Sequence, residues 1–478
     1  MFFEEVQIKC PWKNSLKMWK LVVILSFMSA VNAAENINPS LINRNVERTV
    51  DLHSQLVKIS GSITIENTGK QGVGSYLLGF EKDLQGFVSF VGVQDSQKNP
   101  LKTSPVTVAG RDSTEIFYNV QLRQNVESGK TTTILFEIVL SKALTPYPSS
   151  ITQKDKQLVR YFGNHYFYSP YATRNQKTEI LISSRSVENY SKLKPVSQTD
   201  SSIIYGPYEN IGALSIDPLT VHYENNAPFL TVSKLERTIE VSHWGNIAVE
   251  ESLEIKHTGA KLKGSFSRYD YQRDTSANHH SVRSYRTVLP PLAHSIYYRD
   301  MNGNISTSTV KSHKEYVELE LKPRFPLFGG WQTSYILGYS IPSYPYLFKK
   351  PSGEFVLKVR LLDHVFDDMA VDELETHLVL PVGVSDVKIK APYEVQHLHD
   401  GVAYKYLDYL GRIVIRAKKY NLVEQHIQDI EITYTWKTHM LLHEPVLVSL
   451  ALFVIFLAVI IYVRLDFSIA RQEHSKKE

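Results

Sequence analysis

One cysteine, Cys10, stands in 478 residues. Its solitude excludes a disulfide within the chain, a CxxC redox pair and a cysteine-based zinc knuckle. Charge of one sign is also lacking: the formal net charge is +4, too close to balance for a nucleic-acid grip, so no nucleic-acid partner is expected. With 23 Gly and 21 Pro, the chain falls below the levels that mark disordered or collagen-like sequences. HExxH, a GxGxxG following a strand, GxxxxGK(S/T) and GxSxG are all missing, so zinc-protease, dinucleotide, P-loop and nucleophile-elbow chemistry has no local signature. No long heptad pattern or low-complexity segment interrupts the chain. What is abundant is tyrosine, 28 residues against 20 Phe and 5 Trp, which favours pleated, half-buried β surfaces.

The ends suggest a topology. Lys13, Lys17 and Lys20 precede a short apolar run, Leu21 to Met28, and then small residues ending at Ala33-Ala34. That order reads as a secretory signal over residues 1–33. Its removal leaves a net charge near +2 and takes Cys10 with it. Near the other end, Val446 to Val463 holds one Ser and no charge, long enough to span a thin bilayer as a helix. Pro445 is expected to start it and Arg464 to stop it. The expected arrangement is a type I protein: signal 1–33, span 445–463 and a short cytosolic tail 464–478.

Between the ends, two stretches repeat at a spacing of about 190 residues. Val46-Glu47-Arg48-Thr49-Val50-Asp51-Leu52 aligns with Leu235-Glu236-Arg237-Thr238-Ile239-Glu240-Val241. Ser62 to Gly69 aligns with Ser252 to Gly259 after one inserted residue. Each pair alternates apolar and polar residues towards a Thr-Gly turn, as in a β-hairpin. Thr131–Leu140, Leu357–Leu361 and Ile430–Trp436 read as further strands. The expected fold is mainly β: two tandem lumenal β-sandwich-like domains, 34–226 and 227–444, followed by a single C-terminal transmembrane helix. Pro218, Asn225-Asn226 and Pro228 mark a linker between Asp217 and Phe229.

Candidate chemistry is sparse. His279-His280 lacks a partner at helical or strand spacing and reads as a solvated loop. His364 with Asp367 and Asp368 reads as a turn or surface feature. Two sequons, Asn189-Tyr190-Ser191 and Asn304-Ile305-Ser306, are candidate N-glycosylation sites; Asn304 follows the turn signal Asn302-Gly303. Lys322 to Phe348 interleaves eight aromatic residues with Pro and Gly. It reads as β core with tight turns, or as a patch facing a protein or membrane.

Several longer runs carry a resemblance. His165 to Tyr171 is HYFYSPY, Val221 to Asn226 is VHYENN, Ile239 to Glu250 is IEVSHWGNIAVE and Phe266 to Arg273 is FSRYDYQR. Arg324 to Trp331 is RFPLFGGW, Asn421 to Ile430 is NLVEQHIQDI and Ile460 to Ile469 is IIYVRLDFSI. In this order the chain resembles the ribophorin I family, subunit 1 of the oligosaccharyltransferase complex. The resemblance implies a non-catalytic accessory subunit of the endoplasmic reticulum membrane, without cofactor or metal. Its implied partners are a polytopic catalytic subunit, the other complex subunits, nascent secretory polypeptides and the lipid bilayer, with translocon contact left open. The reaction so assisted moves a preassembled oligosaccharide from dolichyl diphosphate to Asn in N-x-S/T. The catalytic subunit's WWDYG-type signature is absent, and the short tail expected here contrasts with the long cytosolic helical region of animal members. From topology and composition alone, a type I receptor or adhesion protein is the alternative, with a membrane-anchored peptidase behind it.

Overall fold

A computed structural model describes residues 35–111, 115–183, 186–273, 280–405 and 407–465. The secretory-signal segment and nearly all of the tail therefore lie outside the described residues. Leu41–Leu52 and Val57–Asn67 form the first hairpin, and Val46, Val50, Ile63 and Ile65 point into the core. Alternation dictates this, because successive strand side chains face opposite sides of the sheet. Leu41–Leu52 also pairs in parallel with Thr173–Ile182. The full sheet runs Val196–Gln198, Ser202–Ile211, Thr173–Ile182, Leu41–Leu52, Val57–Asn67, Thr131–Leu140, Val88–Asp95. A four-stranded and a three-stranded sheet supply the opposing layers, and one core takes its residues from Leu41 to Phe229.

The second half repeats the plan. Leu230–Val241 pairs antiparallel with Asn246–His257 and parallel with Ala370–Val379. From Arg412–Val423 the sheet passes through Ala370–Val379, Leu230–Val241 and Asn246–His257 to Gln332–Pro342 and His294–Asp300. This matches the order in the first half strand for strand. A register bulge also recurs: between Asn43 and Asn45 in one half, between Val232 and Lys234 in the other. A second core takes its residues from Leu230 to Tyr434. The repeat seen in two short stretches thus extends to a whole sheet topology.

Pro218–Glu224, expected within a linker, is instead a strand paired with Leu158–Asn164. Proline is tolerated as a strand's first residue, where its missing N–H costs little, and here it sits opposite Asn164.

The halves pack on each other. Lys261–Leu262 adds in parallel to Ser150–Ile151, and Leu56, Val139, Ala370 and Val423 form a small apolar cluster at the junction with Phe90 against it. Gln157, fully buried, accepts from the Ala260 N–H at 2.8 Å and donates to the Asn225 carbonyl at 2.9 Å. Lys142 meets Asp372 at 2.7 Å.

The last element is a helix, His443–Arg464. It begins two residues before Pro445, which occupies the first turn, where a missing N–H breaks no intrahelical bond. Thr438–Arg464 has mean hydropathy 3.2 over its most apolar stretch and is not buried against the rest of the chain. An apolar helix with no protein cover needs a bilayer around it.

Candidate functional site

Three places gather several of the sequence runs singled out above. The first surrounds Arg48. Its guanidinium, buried in the first half, donates to the carbonyls of Asn164 (2.8 Å), His165 (2.9 Å) and Tyr166 (3.3 Å), and to Thr178 Oγ1 (3.2 Å). The HYFYSPY run therefore supplies backbone acceptors. Burial pulls the guanidinium below its ordinary pKa, against attraction from Tyr161 and Glu81. VHYENN lies at the opposite end of the Leu158–Asn164 pairing, towards the junction: Tyr223 Oη donates to the Leu52 carbonyl at 2.8 Å, and Asn225 Nδ2 to the Ser54 carbonyl at 3.1 Å.

The second place is the junction. His364 Nε2 lies 3.2 Å from Asp367 Oδ1 and 3.7 Å from Glu424 Oε1, and the Asp368 N–H donates to Glu424 at 2.7 Å. Asp368 also meets Lys58, and its carbonyl accepts from Gln55 Nε2 at 2.7 Å. Asp367 is exposed, as expected of a turn, but His364 and Asp368 are half-buried, and Asp368 belongs to the contact between halves. Among the described residues, His364, Asp367 and Glu424 are the set whose ligand-type atoms lie within 4.8 Å of one another. Arg286 reaches Asp367 at 3.5 Å, so an ion-pair network accounts for them. The run NLVEQHIQDI contributes Glu424 and Gln425, whose amide donates to Glu137 at 2.9 Å.

The third place is where the helix leaves the fold. The turn of the IEVSHWGNIAVE hairpin brings His243 flat against Trp436, with ring centroids 3.8 Å apart. Burial lowers the His243 pKa to about 4. Trp436 Nε1 donates to the Val382 carbonyl at 2.9 Å. Arg412 bridges Glu240 (2.9 Å) and Glu444 (3.1 Å), tying the first turn of the helix to a central strand. A cleft of about 330 Å³ between these groups is lined by Trp244, Arg412, Trp436, Met440 and His443.

His280 corrects the solvated-loop reading. It is buried, its carbonyl accepts from His257 Nε2 at 2.8 Å, and its ring meets Phe328 edge-on. The apolar partner lies 48 positions away in sequence, out of reach of any local pattern; His279 lies outside the described residues. The aromatic run divides. Phe328, Tyr335 and Tyr339 are core, whereas Phe325, Tyr344 and Phe348 are exposed. Gly329 is needed there, because a Cβ would fall 1.8 Å from the Ala260 carbonyl oxygen.

Both sequon asparagines are exposed. Asn189 lies on Val187–Tyr190 at a register bulge. Asn304 follows Gly303, whose φ of +117° suits glycine. Asp300 Oδ1 accepts from the Asn302 N–H at 2.9 Å, and Arg324 Nη2 donates to the Gly303 carbonyl at 3.2 Å.

The ribophorin I family model matches residues 41–463, nearly the whole described chain. The chain belongs to the ribophorin I family. A Caenorhabditis elegans relative, dolichyl-diphosphooligosaccharide–protein glycosyltransferase subunit 1, is 42% identical over 89% of this chain and 72% of its own length. Subunit 1B of Arabidopsis thaliana is 35% identical over 94% of this chain and 98% of its own. Among solved structures, an M1 zinc metallopeptidase from Deinococcus radiodurans aligns at TM-score 0.27 and 9% identity over 43% of this chain and 42% of that one; this likeness carries no argument. Ribophorin I membership leaves the receptor or adhesion reading disfavoured. HYFYSPY builds the arginine cage, NLVEQHIQDI part of the junction and IEVSHWGNIAVE part of the helix root.

Proposed function

We propose that this chain is a non-catalytic accessory subunit of the endoplasmic reticulum oligosaccharyltransferase complex, in which a different, polytopic subunit transfers the oligosaccharide from dolichyl diphosphate to Asn in N-x-S/T. The observation that carries this is family membership across 41–463, together with relatives named as subunit 1 of that transferase at 35–42% identity. Two β halves locked at their junction and rooted on one apolar helix form a stiff platform beside a membrane-embedded enzyme. Such a platform holds acceptor polypeptide near the reacting centre, and positioning is itself a source of rate. In this reading residues 34–226 and 227–444 are two lumenal domains, the tail is cytosolic, and Asn189 and Asn304 carry glycans.

The test is purification of the tagged full chain in a gentle detergent. Recovery with a polytopic transferase subunit and transferase activity is expected, and recovery without either overturns the proposal. Asn189→Gln and Asn304→Gln are each expected to remove one endoglycosidase-H-sensitive glycan, read as a mobility step; an unchanged mobility refutes occupancy at that site.

A further inference from the structure

Beside the helix root, a loop joins Gly401–Ala403 to Arg412–Val423, and the outward side of its described residues is apolar. Val402, Tyr404, Leu407, Tyr409 and Leu410 are all exposed, from 50% at Leu410 to 68% at Tyr404. Trp244, 67% exposed, stands on the neighbouring hairpin turn, across the cleft at the helix root. The described residues on either side of 406 are anchored. The buried Asp408 carboxylate accepts from the N–H groups of Leu410 (2.9 Å) and Gly411 (3.1 Å). Gly411 has φ +82°, and a Cβ there would fall 2.4 Å from Val402. Asp408 Oδ1 thus ties the turn inwards while its large side chains are held outwards. Its charges are likewise drawn inwards: Lys405 meets Glu240 at 2.9 Å, and Arg412 spans Glu240 and Glu444.

The Tyr409 ring lies 4.7 Å from the ring of His443, the first residue of the helix. Helix residues from Val446 to Val463 carry no charge and a single Ser, so His443 stands at headgroup depth and the turn stands with it. Tyr and Trp favour that depth, and apolar side chains there leave water for the acyl boundary.

We infer that Val402, Tyr404, Leu407, Tyr409 and Leu410, with Trp244, form a membrane-contacting foot that seats in the lipid interface around the helix root and fixes the tilt of the second half over the bilayer. The occupant is lipid, by continuity with the membrane-spanning helix. The inference rests on that helix being inserted, and not on the transferase assignment.

The full chain, with Cys10→Ser, is reconstituted into phosphatidylcholine nanodiscs and labelled with an environment-sensitive fluorophore at Leu410→Cys, Met301→Cys or Ile455→Cys. Met301 is 94% exposed and follows a strand whose register runs away from the helix root. Lipids with a nitroxide on the upper acyl chain are expected to quench the Leu410 probe about threefold or more above the Met301 probe. Equal quenching at the two positions overturns the foot, and so does an unquenched Ile455 probe, because the helix is then not inserted. In the intact complex, a photo-crosslinker at Tyr409 is expected to capture lipid; capture of protein alone overturns the inference.

Discussion

Arg48 and Arg237 occupy the same place in the two halves, on the same strand of the same sheet order, yet they are held by opposite means. Arg48 faces Gly61 across its hairpin and Arg237 faces Glu251. Gly61 admits no side chain, since a Cβ would fall 2.0 Å from the Glu47 carbonyl oxygen, so Arg48 takes carbonyls from the HYFYSPY run instead. Arg237 bonds Glu251 directly, Asp363 at 2.8 Å and Tyr339 Oη at 3.2 Å. Burial opposes that charge, but Asp363, Tyr339 and Glu251 outweigh it and raise the Arg237 pKa well above its ordinary value. Burial also raises the Glu251 carboxyl. Even the parallel neighbours differ: Thr178 accepts from Arg48, whereas Thr376 donates to the Leu361 carbonyl. One backbone plan can therefore bury a cation with either neutral or charged partners, and the two choices fail differently.

The largest effect is expected from Arg237→Met, which strands two buried carboxyls and costs about 3–5 kcal/mol. Denaturant unfolding of the full chain in detergent, followed by fluorescence, measures it; a loss below about 1 kcal/mol would break the comparison. Arg48→Met leaves carbonyls unsatisfied but removes a buried charge, and about 1–3 kcal/mol is expected by the same measurement. A cost equal to that of Arg237→Met would erase the distinction.

A third difference concerns protons. Burial lowers the pKa of His257 and of His426 to about 4. The Nδ1 of each accepts a backbone N–H, from Gly259 (3.1 Å) and Val423 (3.2 Å). Unfolded, each binds a proton near pH 6.5; folded, neither does until about pH 4. Their contribution is full above pH 6.5 and is lost as pH falls towards 4, while Glu251, raised by burial, acts in the opposite sense. His257→Gln is expected to flatten the stability-pH slope between pH 6.5 and 4 by up to about 1.4 kcal/mol per pH unit. An unchanged slope would contradict the neutral-imidazole assignment. The smallest effect belongs to the junction pair Lys142–Asp372, partly exposed on both sides: Lys142→Ala is expected to cost about 0–1 kcal/mol, and less at high salt.

Much of this was legible beforehand because it is periodic. The hairpins, the aligned arginines, the β class and the apolar helix all follow from alternation or from an unbroken run. The helix root and the junction were not legible. Asp363 meets Arg237 across 126 residues of sequence, and Gln425 meets Glu137 across 288; no local spacing encodes such partners. Pro218 misled because proline marks both linkers and strand starts, and only pairing with Leu158–Asn164 tells them apart. His280 misled because burial of a short polar run depends on what packs over it. The sequons are a three-residue pattern, to which the structure adds the exposure of both asparagines.

The most direct test of the account as a whole is to deplete this chain from cells and measure occupancy of N-x-S/T sites in newly made secretory glycoproteins by mass spectrometry. An accessory subunit predicts a partial, substrate-dependent fall in occupancy, restored by the full chain, while the polytopic subunit keeps residual transfer. Occupancy unchanged across all sites after complete depletion would contradict it.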